Sequence, residues 1–196
     1  MKSKVVFRIY TIVNYLVEHR ITSASSKFLM LLFCVLTANR GDAQDFLSIG
    51  TRGGTSLNMN GRSFQQAEMF ADLNVPITWK FCSDWRLQPR FDISGGWLGG
   101  EHTDAFVATF GPEIELRKGR FPITLEGGSS PTVLTKDRFG GENFGDHVQF
   151  TSHIGLNWYL TEHFSLGYRF QHMSNAGLGN PNPGLNMNVF SFTYHF

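Results

Sequence analysis

Charge is scarce in this sequence and almost balanced: 17% of the residues are charged, 17 basic against 16 acidic. A nucleic-acid partner calls for a strong basic excess, so that class is excluded. Cysteine is scarcer still, at two residues, Cys34 and Cys82. Long apolar runs are missing too, and the mean hydropathy is −0.16. The one continuous stretch, Phe28 to Ala38, is about half the roughly 20 residues that a spanning helix needs. A helical period is absent from Asp45 onward. Phosphate-cradling glycine loops are absent as well; Gly95-Gly96 and Gly127-Gly128 fall within segments of strand character, where they mark kinks.

The apolar stretch has the layout of an export signal. Lys27 precedes it, with Lys2, Lys4, Arg8 and Arg20 farther back, and Gly41 and Ala43 supply small residues before Gln44. These features predict a cleaved secretory signal peptide over residues 1–43 and a mature domain over 44–196. Cys34 would leave with the leader, so Cys82 would be alone and no intrachain disulfide would form. Phe33 stands before Cys34, where a lipoprotein cleavage site wants a small residue, which argues against a lipid anchor.

What the mature part does contain is glycine (21 in the whole chain), phenylalanine (19) and a period of two. Val148, Phe150, Ile154, Leu156, Trp158 and Leu160 alternate with Gln149, Thr151, His153 and Asn157. Similar alternation over about ten residues at a time recurs along the chain, broken by Gly, Asn and Asp. Eight strands are predicted, at about 46–56, 64–76, 84–98, 104–116, 121–132, 147–160, 164–174 and 186–196. The polar faces carry both signs, Arg52, Arg86, Arg90 and Arg169 against Glu68, Asp72, Asp92, Glu113, Glu115 and Glu126. Paired charges of this kind suit a narrow lumen, while the aromatic-rich faces suit lipid. The fold class expected is an all-β, eight-stranded antiparallel transmembrane β-barrel of the bacterial outer membrane. Closure removes every sheet edge, which hydrocarbon requires.

Connections are expected to alternate, with short periplasmic turns at 117–120 and 161–163 and a long outer loop at about 133–146. The last segment sets Phe190, Phe192, Tyr194 and Phe196 against Ser191, Thr193 and His195, a pattern similar to the C-terminal signature of outer-membrane barrels. A pore is the weaker reading, because eight strands leave a lumen just wide enough for side chains to fill.

The chemistry falls in residues 168–186. His172 and Ser174 are two residues apart on a strand, so their side chains share a face. They continue the parity of Phe164, Leu166, Tyr168 and Phe170, and Asn186 has the parity of Phe190 and Phe192. All three are therefore expected on the outside of the barrel, beside an extracellular loop and near the outer-leaflet boundary. A hydroxyl beside an imidazole is the minimum for a serine nucleophile with its base, and one opening toward that leaflet implies a lipid ester of lipopolysaccharide as substrate.

The run Phe170-x-His172-x-Ser174-Asn175-Ala176-Gly177, with Pro181-Asn182-x-Gly184 after it, resembles the lipid A 3-O-deacylase family, eight-stranded outer-membrane barrels. The resemblance implies removal of the ester-linked 3-hydroxyacyl chain at position 3 of lipid A, with no metal and no cofactor. It implies Ser174 as nucleophile and His172 as general base. Oxyanion stabilisation would come from Asn175 or Asn182 and from backbone N–H groups near Ala176 and Gly177. One position departs from the pattern: Asn186 stands where the best-known members carry a Glu that orients the histidine. An amide can accept from an imidazole N–H, though without the charge that stabilises imidazolium. Asp137, Glu142 and Asp146 in the outer loop are alternative sources of a carboxylate.

The rival reading is a non-enzymatic barrel with a structural or adhesive role, its motif silent because of Asn186. His102 with Asp104, and Asp146 with His147, lack a third ligand at a defined spacing and are read as loop residues rather than metal sites. Nothing in the alternation marks a patch for a homodimer, which stays open as a partner beside lipid A and the membrane.

Overall fold

The computed structural model describes residues 47–56, 61–82 and 84–196; the expected leader, with Cys34, lies outside them. Eight long strands form the wall: β1 (Leu47–Ser56), β2 (Phe64–Asn74), β3 (Trp85–Gly100), β4 (Thr103–Lys118), β5 (Ile123–Leu134), β6 (Val148–Tyr159), β7 (Phe164–Ser174) and β8 (Leu185–His195). Each pairs antiparallel with the next, and β8 pairs back onto β1 from Ser48↔His195 to Ser56↔Met187, so the sheet closes. Partners followed from Ser48 through Asp72 and Asp92, and on through Ser130, Thr151 and Met173, arrive at Leu185. Ser48 lies near the end that holds the chain terminus and Leu185 at the opposite rim. The pairing direction thus climbs from β1 to β8, as tilted strands require.

The distribution of exposure is inverted relative to a water-soluble sandwich. Phe190 is 64% exposed and Met69 71%, while Arg52, Glu68 and Asp72 are each 5% exposed. Apolar residues alternate outward on every strand and polar ones inward, the arrangement of a wall facing hydrocarbon around a filled lumen. Near the terminal end the outer aromatics pack as a girdle, with Phe164 against Phe192 at 5.5 Å and Tyr194 against Phe196 at 4.9 Å between ring centroids.

The lumen has two tiers. The middle is ionic: Arg52 donates to Glu68 at 3.0 Å and, through both terminal nitrogens, to Asp92 at 2.6 and 3.0 Å. Arg90 lies among Glu113, Glu115 and Glu126. His153 bonds Glu113 at 3.0 Å, and Asn157 donates to Glu126 at 2.5 Å. Arg86, grouped by its parity with the lumen arginines, is instead exposed near the terminal rim, because β3 extends past the ionic tier. Toward the other rim the lumen turns apolar, with Phe64, Leu98, Leu134, Met173, Leu185 and Met187 closed over by Phe139 and Phe144 of the 135–147 loop. The rings of Phe64, Phe139 and Phe144 meet edge to face, each pair at 5.6 Å. This apolar stopper is not visible in the alternation of the strands.

Connections do not alternate in length as expected. At the rim opposite the chain terminus β3 and β4, each of 16 residues, are joined by Glu101 and His102 alone. Both residues have positive φ, 51° and 61°, which matches a tight turn to the twist of a long hairpin. At the terminal end the β2–β3 connection is the longer one and adds a short strand, Trp79–Phe81, alongside β3. Exposed Cys82 sits in this connection.

Arg90→Ala is expected to lower barrel stability by about 3–5 kcal/mol, since it leaves buried carboxylates without their counter-charge. Urea unfolding of protein refolded into lipid vesicles measures this. Arg86→Ala, at the exposed rim, is expected to stay within about 0.5 kcal/mol.

Candidate active site

β7 and β8 carry the site on the outer wall. His172 and Asn186 are direct partners in the β7–β8 ladder, and both side chains are exposed. The imidazole Nδ1 and Asn186 Oδ1 are 2.7 Å apart. The amide oxygen can only accept, so Nδ1 carries the proton and Nε2 is left as the basic nitrogen. Ser174 follows on the same face, half-buried at the end of β7. Its hydroxyl has no hydrogen bond to the imidazole among the described residues; such a contact commonly tightens when substrate binds.

Asp137, Glu142 and Asp146 do not reach this histidine. Glu142 is paired with Arg62, and Asp146 Oδ1 accepts the Val148 N–H at 2.9 Å. The acceptor on Nδ1 is the amide of Asn186. The weaker pairs are also spent locally: Asp104 accepts from Trp97 Nε1 at 2.8 Å, and His147 Nδ1 bonds the Leu134 carbonyl at 2.9 Å.

The 175–184 loop is built around Asn175, which is fully buried. Its amide nitrogen donates to the carbonyls of Phe144, Gly179 and Pro181 at 2.9, 3.2 and 3.0 Å. Its oxygen accepts from the Gly177 N–H at 2.9 Å, and its own N–H donates to Asn182 Oδ1 at 3.1 Å. One side chain therefore ties the site loop to the 135–147 loop that stoppers the barrel. The side chain of Asn175 points away from the wall where His172 stands. Ala176 (φ 53°) and Gly177 (φ 80°) turn the chain immediately after it. Exposed Asn182 keeps its amide N–H groups uncommitted among the described residues.

Gly184 is the residue whose role the sequence pattern carried without explaining. Its φ is 67°, and a Cβ there would stand 2.9 Å from His172 Cε1. The imidazole rests on this glycine. A concavity of about 1080 Å³ lies elsewhere on the wall, over Gly53, Ala67, Met69, Trp97 and Phe190, and its lining includes no histidine.

Residues 65–195 match the family described as Lipid A 3-O-deacylase (PagL). The chain is 34% identical over 155 residues to the lipid A deacylase PagL of Bordetella bronchiseptica, covering 74% of this chain and 85% of that protein. To the lipid A deacylase PagL of Pseudomonas aeruginosa it is 25% identical over 121 residues, covering 56% and 69% of the two chains. The crystal structure of the outer membrane enzyme PagL superposes with a TM-score of 0.64 at 22% identity, covering 76% of this chain and 99% of that one.

Gly184→Ala is expected to fold but to displace the imidazole, lowering ester hydrolysis by about 10²-fold, the scale of a 1 Å misplacement. Steady-state rates, with heat-modifiable gel migration as the check on folding, measure this.

Proposed function

The chain belongs to the lipid A 3-O-deacylase family, and from that premise we propose that Ser174 and His172 carry out its ester hydrolysis on the lipid-facing wall. The protein is a lipid A deacylase of the bacterial outer membrane. The observation that carries the mechanistic reading is the His172–Asn186 hydrogen bond on the outside of the barrel, one outward position from Ser174.

In this reading Ser174 Oγ attacks the carbonyl carbon of the 3-O-linked 3-hydroxyacyl chain and gives its proton to His172 Nε2. The tetrahedral oxyanion takes hydrogen bonds from the Ala176 N–H and the amide of Asn182. Asn175 serves by holding the loop, since its amide and the Gly177 N–H are already engaged. Collapse breaks the bond to the sugar oxygen, which leaves with the proton from His172. Water then attacks the acyl-serine with His172 again as base, releasing a 3-hydroxy fatty acid and restoring Ser174. Asn186 holds the tautomer throughout but adds no charge against the imidazolium.

The support for a lipid substrate is position. Nucleophile and base face the hydrocarbon side of a wall whose lumen is closed, so an ester reaches them from the membrane. Residues 1–43 are read as the leader removed on export, on the strength of the Phe28–Ala38 run and the small residues Gly41 and Ala43.

Mass spectrometry of lipid A incubated with the refolded protein is expected to show loss of one 3-hydroxyacyl group. Ser174→Ala is expected to fold and to lose at least about 10³-fold in rate. A folded wild type that leaves lipid A unchanged would point to a silent barrel. Asn186→Glu is expected to raise kcat by about tenfold, since a charged acceptor makes roughly twice as strong a bond as a neutral one; the same assay run as a time course reads it.

A further inference from the structure

Four polar side chains stand in one register row across the outer wall. Ser129 on β5 pairs with Ser152 on β6, Ser152 with His172 on β7, and His172 with Asn186 on β8. All four are exposed on the outer face. His172 and Asn186 belong to the proposed catalytic set; the two serines have no role in it. Their hydroxyl oxygens are 2.9 Å apart. In such a pair one hydroxyl donates and the other accepts, so the acceptor's own proton has no partner within the pair. No other hydrogen bond to either hydroxyl is present among the described residues.

The surroundings make this costly. On β6 the outward neighbours of Ser152 are Phe150 toward the site rim and Ile154 toward the midplane. On β5 the outward residues beyond Ser129 are Pro131 and Val133 toward the rim and Leu125 toward the midplane. The hydroxyls therefore lie inside the apolar belt and not at its polar margin. There an unmatched polar group is costly, because hydrocarbon offers it no partner. Because the pairing direction climbs from β1 to β8, Ser152 lies deeper than His172 and Ser129 deeper again. The row leads from the catalytic histidine down into the hydrocarbon.

An ester seated at Ser174 sends its acyl chain the same way, while sugar and phosphate stay at the rim. The polar group that a 3-hydroxyacyl chain carries to that depth is the hydroxyl on its third carbon, two bonds past the carbonyl. Directly opposed residues on adjacent antiparallel strands have Cα atoms about 4.5–5.5 Å apart, so Ser152 is one strand's width from His172 and, as a diagonal neighbour, about 7–8 Å from Ser174. We propose that Ser152 and Ser129 form a subsite that hydrogen-bonds the chain hydroxyl and selects hydroxylated over plain acyl esters. The proposal rests on the Ser174–His172 reading above. A site built to bond a substrate hydroxyl rejects the analogue that lacks it, because its own polar groups are then left unpaired.

The test uses the refolded barrel in detergent and two diacylated glucosamine phosphates that differ in the ester chain, 3-hydroxytetradecanoyl against plain tetradecanoyl. Wild type is expected to favour the hydroxylated ester by about tenfold or more in kcat/KM. In Ser129→Ala/Ser152→Ala that ratio is expected to fall to near one, and Ser152→Thr, which keeps a hydroxyl, is expected to retain it. A merely structural role would lower both substrates alike and leave the ratio intact, which overturns the proposal. Equal rates on both esters by an active wild type also overturn it. A folded wild type that cleaves neither ester overturns the Ser174–His172 reading, and the subsite with it.

Discussion

The ion-pair network around Arg90 and Arg52 is the interaction on which the rest of the molecule depends. Hydrocarbon accepts no unpaired backbone group, so the sheet must close, and closing eight strands leaves a lumen that side chains must fill. Here the fill is charged. Arg90 is held by Glu113, Glu115 and Glu126, and Arg52 by Glu68 and Asp92. Burying these charges is favourable only with the pairing complete. Completing it fixes which face of every strand points inward, since a one-residue slip would turn the whole set toward lipid. The outward positions of His172 and Ser174 follow from the inward positions of Arg169, Gln171 and Met173 on β7, and that of Asn186 from the inward Leu185 and Met187 on β8.

From that frame the site acquires its precision at the rim. β7 and β8 supply His172 and Asn186 from facing ladder positions, a rigid support for an imidazole. The loop between them is held from below by Asn175, whose amide reaches the Phe144 carbonyl of the stopper loop. The wall that carries His172 and the luminal stopper are therefore coupled through one buried side chain. Gly184 then leaves the space in which the ring lies. His172 and Asn186 face lipid, while Asn175, which holds the loop between their strands, is buried.

Much of this was legible in the residues, for a physical reason. Lipid outside and a packed polar lumen inside impose the period of two on both faces, so strands such as 164–174 could be bounded closely from alternation alone. The same parity put His172 and Ser174 on the outer wall. Features set by contacts distant in sequence were not legible. Phe139 and Phe144 read as residues of a glycine-rich outer loop, yet they stopper the lumen against Phe64. Asn175 sits in a motif that suggests an oxyanion donor, yet its amide is consumed by three carbonyls. The Glu101–His102 turn lacks the glycine that usually marks a left-handed pair. The Ser129–Ser152 pair depends on inter-strand register, which alternation does not give.

The central claim is that the proposed nucleophile opens to lipid and not to the lumen. A fluorophore on Ser174→Cys, in a Cys34→Ser/Cys82→Ser background, can be placed in vesicles of phospholipid brominated at defined depths along the acyl chain. Quenching by bromines near the headgroup end, with weak quenching by aqueous iodide, is the predicted result. Strong quenching by iodide and none by any brominated lipid would contradict the account, because the nucleophile would then face water.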